Sequence, residues 1–117
     1  MTELYNRNLM DQRKIVESGE LDGYTWYIVS YGSHPCAYVK SDISKKMQEE
    51  ILVHGGITFA GKAFPEFEPE GQYIGWDYQH YGDYSGLLPR FGGKRWTVDE
   101  IMDDVRSVVH QLKEMGR

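Results

Sequence analysis

The stretch TVDEIMDDVRSVVHQLKEM, which runs from Thr97 to Met115, decides the fold. Its first four residues form a capping box, in which the Thr97 oxygen accepts from the third helical N–H and the Glu100 side chain reaches back. Apolar residues then recur every three or four positions and form one stripe. Gly116 is a suitable stop signal. The pattern predicts a helix from about Val98 to Met115 that packs on the rest of the chain through this stripe.

Segments rich in aromatic and β-branched residues precede this helix and predict strands. Tyr24–Tyr31 (YTWYIVSY) is apolar on both alternate sets of positions, which is typical of a central strand covered on both faces. We expect further strands at Lys14–Glu17, Cys36–Lys40 and Gln72–Tyr78, and a hairpin or sharply bent strand over 52–59, around a glycine pair. The segment Ser18–Gly23 is expected to join the first two strands.

The remaining segments complete an α+β prediction. Ser41–Glu50 carries apolar residues at a spacing of four and predicts a short helix, and residues 1–12 are expected to form a loose helical arm. Residues 79–95 read as a long glycine-containing loop. No boundary divides residues 1–117, so we expect one domain, an antiparallel sheet of four to five strands with the long C-terminal helix packed on one face.

Composition narrows the class of protein. The chain has 117 residues, the size of one ordinary domain, and no apolar run approaches the ~20 residues that span a bilayer. The first residues lack the apolar stretch of a secretory signal. Cys36 is the single cysteine, which excludes an internal disulfide, and its position in a strand indicates a buried, inert thiol. We therefore expect a cytoplasmic protein without a membrane segment.

The negative charge is concentrated in one segment. Residues 63–89 contain five acidic residues, among them Glu66, Glu68 and Glu70, and no lysine or arginine. Acidic and basic residues number thirteen each in the rest of the chain, so the net charge of −5 comes from this segment. Proteins that grip phosphates usually show a basic patch instead. We expect no direct binding to nucleic acid, and a basic protein as the complementary partner.

Histidines and carboxylates form the first candidate site. His54 lies beside the glycine pair of the segment 52–59, with Thr58 nearby in sequence. Asp77 lies at the end of the predicted strand Gln72–Tyr78, and His80 and Asp83 follow it at intervals of three. Neutral imidazole and carboxylate oxygens suit a metal or small-molecule site or a general acid and base. The same residues can instead fix turns by hydrogen bonds in a buried setting. No strong zinc motif is present, so the pattern indicates no particular metal or cofactor.

Aromatic residues form a second candidate. Five tyrosines and tryptophans lie between Tyr73 and Tyr84, and strand alternation places Trp76 and Tyr78 on one face. Core packing accounts for Trp76. Tyr81 and Tyr84 lie in the polar loop, where contact with a partner or a ligand is the alternative to burial.

Two motifs carry a resemblance to a known family. His54-Gly55-Gly56-Ile57-Thr58-Phe59 and Gly75-Trp76-Asp77-Tyr78-Gln79-His80-Tyr81-Gly82-Asp83 resemble the pattern HGG[IL]T[FY]…G[FW]DxxHxGD of small proteins carried by phages and mobile elements of Gram-positive bacteria. The likeness is sharpest over 54–83. It implies an accessory protein made inside an infected cell that acts on host machinery or host defence. Tyr78 and Tyr81 stand where such proteins often have small residues, and they could narrow a pocket.

Three functions follow as hypotheses. The leading one is a non-enzymatic module that binds and inhibits a host factor, with an acidic and aromatic surface that competes for the basic nucleic-acid channel of a partner. The others are a metal- or ligand-dependent enzyme and a small-ligand sequestering protein, both using the histidine and carboxylate region. The residues expected to bind are His54, Thr58, Asp77, His80, Asp83, Tyr81, Tyr84, Glu66, Glu68 and Glu70.

Overall fold

The computed structural model of the protein describes residues 4–6, 13–87, 90 and 92–117. Its elements are β1 (Lys14–Leu21), β2 (Tyr24–Ser30), β3 (Pro35–Lys40), α1 (Lys45–Gln48), β4 (Phe59–Lys62), β5 (Gln72–Asp77) and α2 (Val98–Glu114). The strands form one antiparallel sheet in the order β1-β2-β3-β5-β4. The α+β class, with the sheet and the packed C-terminal helix, agrees with the sequence prediction.

Strand β2 lies inside the sheet because its side chains are apolar on both faces. Trp26 and Ile28 contribute to the core on one face, and Tyr27 and Val29 to the core on the other. All four are buried. Side chains alternate along a strand, so a strand with two apolar sets must be covered twice. The expectation for this strand is confirmed.

Helix α2 covers the first face. The Thr97 oxygen accepts from the backbone N–H of Glu100 at 3.2 Å, and the Glu100 carboxylate accepts from the N–H of Thr97 at 3.1 Å, so the expected capping box is present. The side chains on one face of this helix are buried, and they form one core with side chains of the sheet. The helix residues are Ile101, Val105, Val108, Val109 and Leu112. The helix packs against β2 and β3.

The second face is covered by the loop of residues 63–71. The Phe67 ring stacks on Tyr27 with centroids 4.0 Å apart and planes inclined by 2°. It also meets Tyr38 and Tyr73 at angles of 63° and 60°. Aromatic pairs in such arrangements add to the free energy gained by burial. The acidic loop therefore belongs to the fold and is held by its phenylalanines.

Strand β1 is longer than the sequence predicted. It continues to Leu21, because Asp22 and Gly23 adopt positive φ values of 52° and 89° and form a two-residue hairpin turn. Such turns match the twist of the flanking strands and let them pair up to the turn itself. The expected connection over Ser18–Gly23 is wrong except at these two residues.

The segment between β3 and β4 also differs from its prediction. The helix α1 spans only four residues. Ser44 caps its start, and Ile51, three residues beyond its end, is buried in the core. Residues 52–58 form no hairpin, since Gly55 and Gly56 at φ 71° and 77° turn the chain before β4 begins at Phe59.

The described part of the N-terminus is packed. Leu4 is buried, its carbonyl accepts a hydrogen bond from the Ser30 hydroxyl, and the Asn6 N–H donates to Gly32 at 3.1 Å. The expected loose helical arm is wrong for residues 4–6, and its other residues lie outside the described part of the chain. Neither helix of the described residues is long and apolar enough to cross a membrane.

Candidate functional site

Sheet pairing brings two of the expected site residues together. Asp77 ends β5, and Thr58 lies immediately before β4, which pairs with β5 from Phe59 onward. The Thr58 N–H donates to the carbonyl of Gly75 at 2.9 Å, which extends the pairing by one residue. The Thr58 hydroxyl then donates to Oδ2 of Asp77 at 3.0 Å. The strand that pairs with β5 is Phe59–Lys62, which overlaps the bent strand expected over 52–59 only at Phe59.

Asp83 joins three separate segments. Its Oδ2 atom lies 2.8 Å from Nε2 of His54 and accepts from the backbone N–H of His80 at 3.0 Å, while Oδ1 accepts from the Trp96 indole at 2.9 Å. The side chain is 4% exposed. Burial alone would raise the pKa of Asp83, but these hydrogen bonds outweigh it and hold the pKa below the ordinary aspartate value. The carboxylate is therefore ionised and fully engaged at neutral pH.

The His54 ring is enclosed by aromatic side chains. It stacks on Tyr78 with centroids 5.0 Å apart and planes inclined by 7°, and Trp96 lies 4.6 Å away at 53°. The Tyr78 hydroxyl accepts from the Trp76 indole and donates to Asp104 of α2. Burial raises the pKa of Tyr78 well above its usual value. Tyr78 therefore links the His54 ring to helix α2.

His80 and Asp77 form a second pair of a different kind. Nε2 of His80 lies 2.9 Å from Oδ1 of Asp77, the separation of an ion pair, but the ring N–H is not aligned for a hydrogen bond, and this buried nitrogen has no aligned partner among the described residues. We therefore treat the contact as electrostatic. A Cβ atom on Gly55 would lie 2.1 Å from the same nitrogen, so only glycine leaves room for the imidazole.

The chemistry open to this cluster is limited by its internal pairing. Nε2 of His54 is hydrogen-bonded to the ionised carboxylate of Asp83 and is therefore already engaged inside the protein. Among the described residues, no three histidine, cysteine or carboxylate side chains are arranged to hold a metal ion. The arrangement favours the interpretation in which these residues fix the turns that carry them.

The two loop tyrosines have different environments. Tyr81 is fully exposed, in the turn between His80 and Asp83. Tyr84 is half-buried, because its ring meets Tyr5 edge-on at 5.2 Å and lies 4.0 Å below the guanidinium of Arg95. Tyr81 is therefore free to contact a partner, whereas Tyr84 holds the loop to the N-terminal segment.

The three glutamates of the acidic loop also differ in their contacts. Glu66 forms two hydrogen bonds with Arg13, at 2.7 and 2.9 Å, and the same guanidinium lies 3.8 Å above the Phe64 ring. The pKa of Glu66 is lowered by this partner. Glu66 is thus part of the packing of the loop. Glu68 and Glu70 are exposed and line a groove of about 730 Å³ together with Glu20 of β1.

This acidic groove, lined by Glu20, Glu68 and Glu70, has a fixed backbone. The Tyr27 hydroxyl donates to the Glu68 carbonyl and accepts from the Glu68 N–H, both at 2.7 Å. The Tyr73 hydroxyl donates to the carbonyl of Pro69 at 2.8 Å. No lysine, arginine or histidine is among the described residues that line the groove.

Sequence reasoning missed Trp96 and Glu20. Trp96 directly precedes the helix-capping threonine, where an apolar residue often packs back on the first turn, and that position was the available signal. Glu20 lies in the segment expected to be a connection, so its place beside the acidic loop followed only from the longer β1.

Comparisons with known proteins return no relative. No protein-family model, curated protein or solved structure matches the chain.

Proposed function

We propose that the protein is a non-enzymatic binding module that docks a basic segment of a partner protein in the acidic groove. The observation that carries this proposal is the convergence of Glu20, Glu68 and Glu70 on one concave surface without a basic side chain among its described lining residues. In keeping with the resemblance to phage-carried proteins, the partner is a host factor in the bacterial cytoplasm, of the class whose basic channel binds nucleic acid.

Charge supplies the first argument. Carboxylates that line a groove add their fields, and the potential attracts a positively charged segment before contact. Complementary charge raises the association rate and selects against acidic partners. A basic segment that lines a nucleic-acid channel carries the matching charge, so its capture in the groove would withhold it from the nucleic acid.

Rigidity supplies the second argument. The Tyr27 hydroxyl bonds both the N–H and the carbonyl of Glu68, and the neighbouring Phe67 ring stacks on the Tyr27 ring. A surface that is already ordered loses little conformational entropy when it binds. Two of the groove's three carboxylates are therefore carried on a loop whose position is set by the second hydrophobic core.

The edge of the sheet supplies the third argument. Among the described residues β1 is an outer strand that pairs with β2 alone, and it carries Ser18, Gly19 and Glu20 into the groove. An outer strand presents unpaired N–H and C=O groups to which an extended segment can add. A basic segment in extended conformation would thus satisfy both the backbone of β1 and the carboxylates.

The histidine and carboxylate cluster has a structural part and lies outside the described lining of the groove. His54 and His80 are each paired with a carboxylate inside the protein, and these contacts attach the loop of residues 79–87 to the sheet. The cluster presents the exposed Tyr81 from a fixed turn. Tyrosines displayed in this way give contact area at low entropic cost.

A peptide titration tests the proposal. A fluorescent lysine-rich peptide is titrated into the wild type, into a groove variant (Glu20→Gln, Glu68→Gln, Glu70→Gln) and into a control variant. The control (Glu49→Gln, Glu50→Gln, Asp103→Asn) removes the same charge from exposed residues outside the groove. We expect saturable binding that the groove variant loses by about tenfold or more and the control retains. Equal losses in both variants would contradict a site in the groove.

A further inference from the structure

A second concave site lies at the opposite end of the strands. A cavity of about 260 Å³ opens beside the start of β3 and the end of β5, next to Thr58. It shares no described lining residue with the acidic groove. The partner-binding proposal makes no use of it.

Aromatic rings form much of its wall. Tyr31, Tyr38 and Phe59 line the cavity, and Tyr38 meets Phe59 edge-on with centroids 5.4 Å apart. The hydroxyls of Tyr31 and Tyr38 are hydrogen-bonded at 2.8 Å, which fixes both rings. The faces of such rings carry negative electrostatic potential and attract cations, most strongly where water is excluded.

One carboxylate supplies the charge of the cavity. Asp77 lines it and is held by the Thr58 hydroxyl at 3.0 Å and the Gln79 N–H at 3.2 Å. Burial lowers the pKa of His34, with Asp77 opposing, so its imidazole is neutral at neutral pH. Burial raises the pKa of Cys36 to about 12, so the thiol keeps its proton. The described lining residues therefore carry one negative charge.

Two basic side chains, His80 and Arg13, lie near the cavity, and neither is among its described lining residues. His80 touches Asp77 through Nε2, which is 2.9 Å from Oδ1, while Oδ2 of Asp77 accepts from the hydroxyl of Thr58, a residue that lines the cavity. Arg13 lies near Tyr31, but its guanidinium is bound by both oxygens of Glu66. The cavity is therefore a site of negative potential walled by aromatic rings.

We propose that this cavity binds a small organic ammonium ion, such as a quaternary ammonium or a methylated lysine side chain. Aromatic walls with a single carboxylate suit a weakly hydrated organic cation. A divalent metal ion would require several more oxygen ligands, and an anion would be repelled by Asp77. The volume admits one group of this size.

The test compares two ligands of equal shape. Choline carries the trimethylammonium group, and 3,3-dimethyl-1-butanol is its uncharged isostere, so the comparison isolates the charge. Calorimetric titration of the wild type should show saturable binding of choline in about the millimolar range, with the isostere at least about tenfold weaker. No saturable choline binding, or equal binding of both compounds, would overturn the proposal.

The two sources of the cation are separated by a peptide pair. A short peptide with one trimethyllysine is titrated beside the same peptide with unmodified lysine. Tighter binding of the trimethylated peptide than of choline assigns the site to a modified protein side chain. Binding of choline without binding of the peptide assigns it to a free small molecule. Either result supports the ammonium site.

Variants locate the binding in the cavity. Asp77→Asn keeps the shape and removes the charge, and Phe59→Leu removes a ring, so each should weaken choline binding by about tenfold. Asp103→Asn on the exposed face of α2 is the control and should bind as the wild type does. The groove variant should also bind choline normally, which separates this proposal from the partner-binding one. Unchanged binding by Asp77→Asn would overturn the assignment, and the wild-type ligand comparison stands if a variant fails to fold.

Discussion

The Nε2 atom of His54 lies 2.8 Å from Oδ2 of Asp83, although 29 residues separate the two in sequence. The same carboxylate accepts hydrogen bonds from the Trp96 indole and from the backbone of His80. Asp83 is thus the point at which the loop after β5 is attached to the turn before β4 and to the start of α2. The following predictions test this attachment and the packing around it.

Replacing Asp83 by Ala should destabilise the protein. The change leaves the Trp96 indole, the His80 N–H and the His54 ring without their acceptor, and a loss of about 2–3 kcal/mol in the free energy of unfolding is expected. Urea denaturation measures it. Asp103→Ala, an exposed carboxylate of α2, is the control and should change stability by less than about 0.5 kcal/mol. Equal effects would show that Asp83 does not attach the loop.

The pH dependence of stability should reveal the same carboxylate. The folded pKa of Asp83 lies below its unfolded value, so its contribution is fully present above the unfolded pKa of about 3.9 and is lost as the pH falls through the folded pKa. Asp83→Asn lacks this titration. The difference in unfolding free energy between wild type and variant should therefore shrink below about pH 4. A difference that stays constant from neutral to acid pH would contradict the lowered pKa.

Two adjacent glycines provide a matched pair. Gly55 and Gly56 have φ values of 71° and 77°, so alanine strains the backbone at either position, by about 1–2 kcal/mol. The new Cβ collides with His80 at Gly55, whereas no atom of the described residues lies within 4 Å of a Cβ on Gly56. Gly55→Ala should therefore be the more destabilising and should shift the His80 ring resonances in NMR spectra. Equal stabilities with unshifted resonances would argue against the close approach of His80.

The apolar stripe of α2 should dominate the core. Val105→Ala and Leu112→Ala each remove fully buried atoms and should cost about 2–4 kcal/mol, the usual range for a cavity in a core. Thermal or urea unfolding checks the loss, with the exposed Arg106→Ala as the reference. Losses below about 0.5 kcal/mol at both positions would mean that this stripe is not the core face.

Elements with a strong local pattern were predictable from the sequence. The capping box and the three- and four-residue spacing placed α2 at Val98–Glu114 within one residue of the expectation. The two apolar sets of β2 also indicated correctly a strand covered on both faces. Both predictions rest on patterns formed by neighbouring residues, which a sequence shows directly.

Features that depend on distant contacts were not predictable in the same way. To predict the full length of β1, Asp22 and Gly23 would have to be recognised as a hairpin turn. The short α1 is followed by Ile51, whose burial in the core depends on residues distant in sequence. The histidine and carboxylate residues were identified, but the part of Trp96 in holding Asp83 arises from tertiary packing. In the sequence Glu66 is indistinguishable from Glu68 and Glu70, but in the structure it is bound by Arg13, which is distant in sequence.

Affinity capture at increasing salt tests the binding proposal most directly. The immobilised wild type, the groove variant and the charge-matched control are each incubated with lysate of a Gram-positive bacterium, and bound proteins are identified by mass spectrometry. We predict that the wild type and the control retain the same basic protein, that raised salt releases it, and that the groove variant fails to retain it. Retention by the groove variant equal to that of the wild type, or a complex indifferent to salt, would contradict the account.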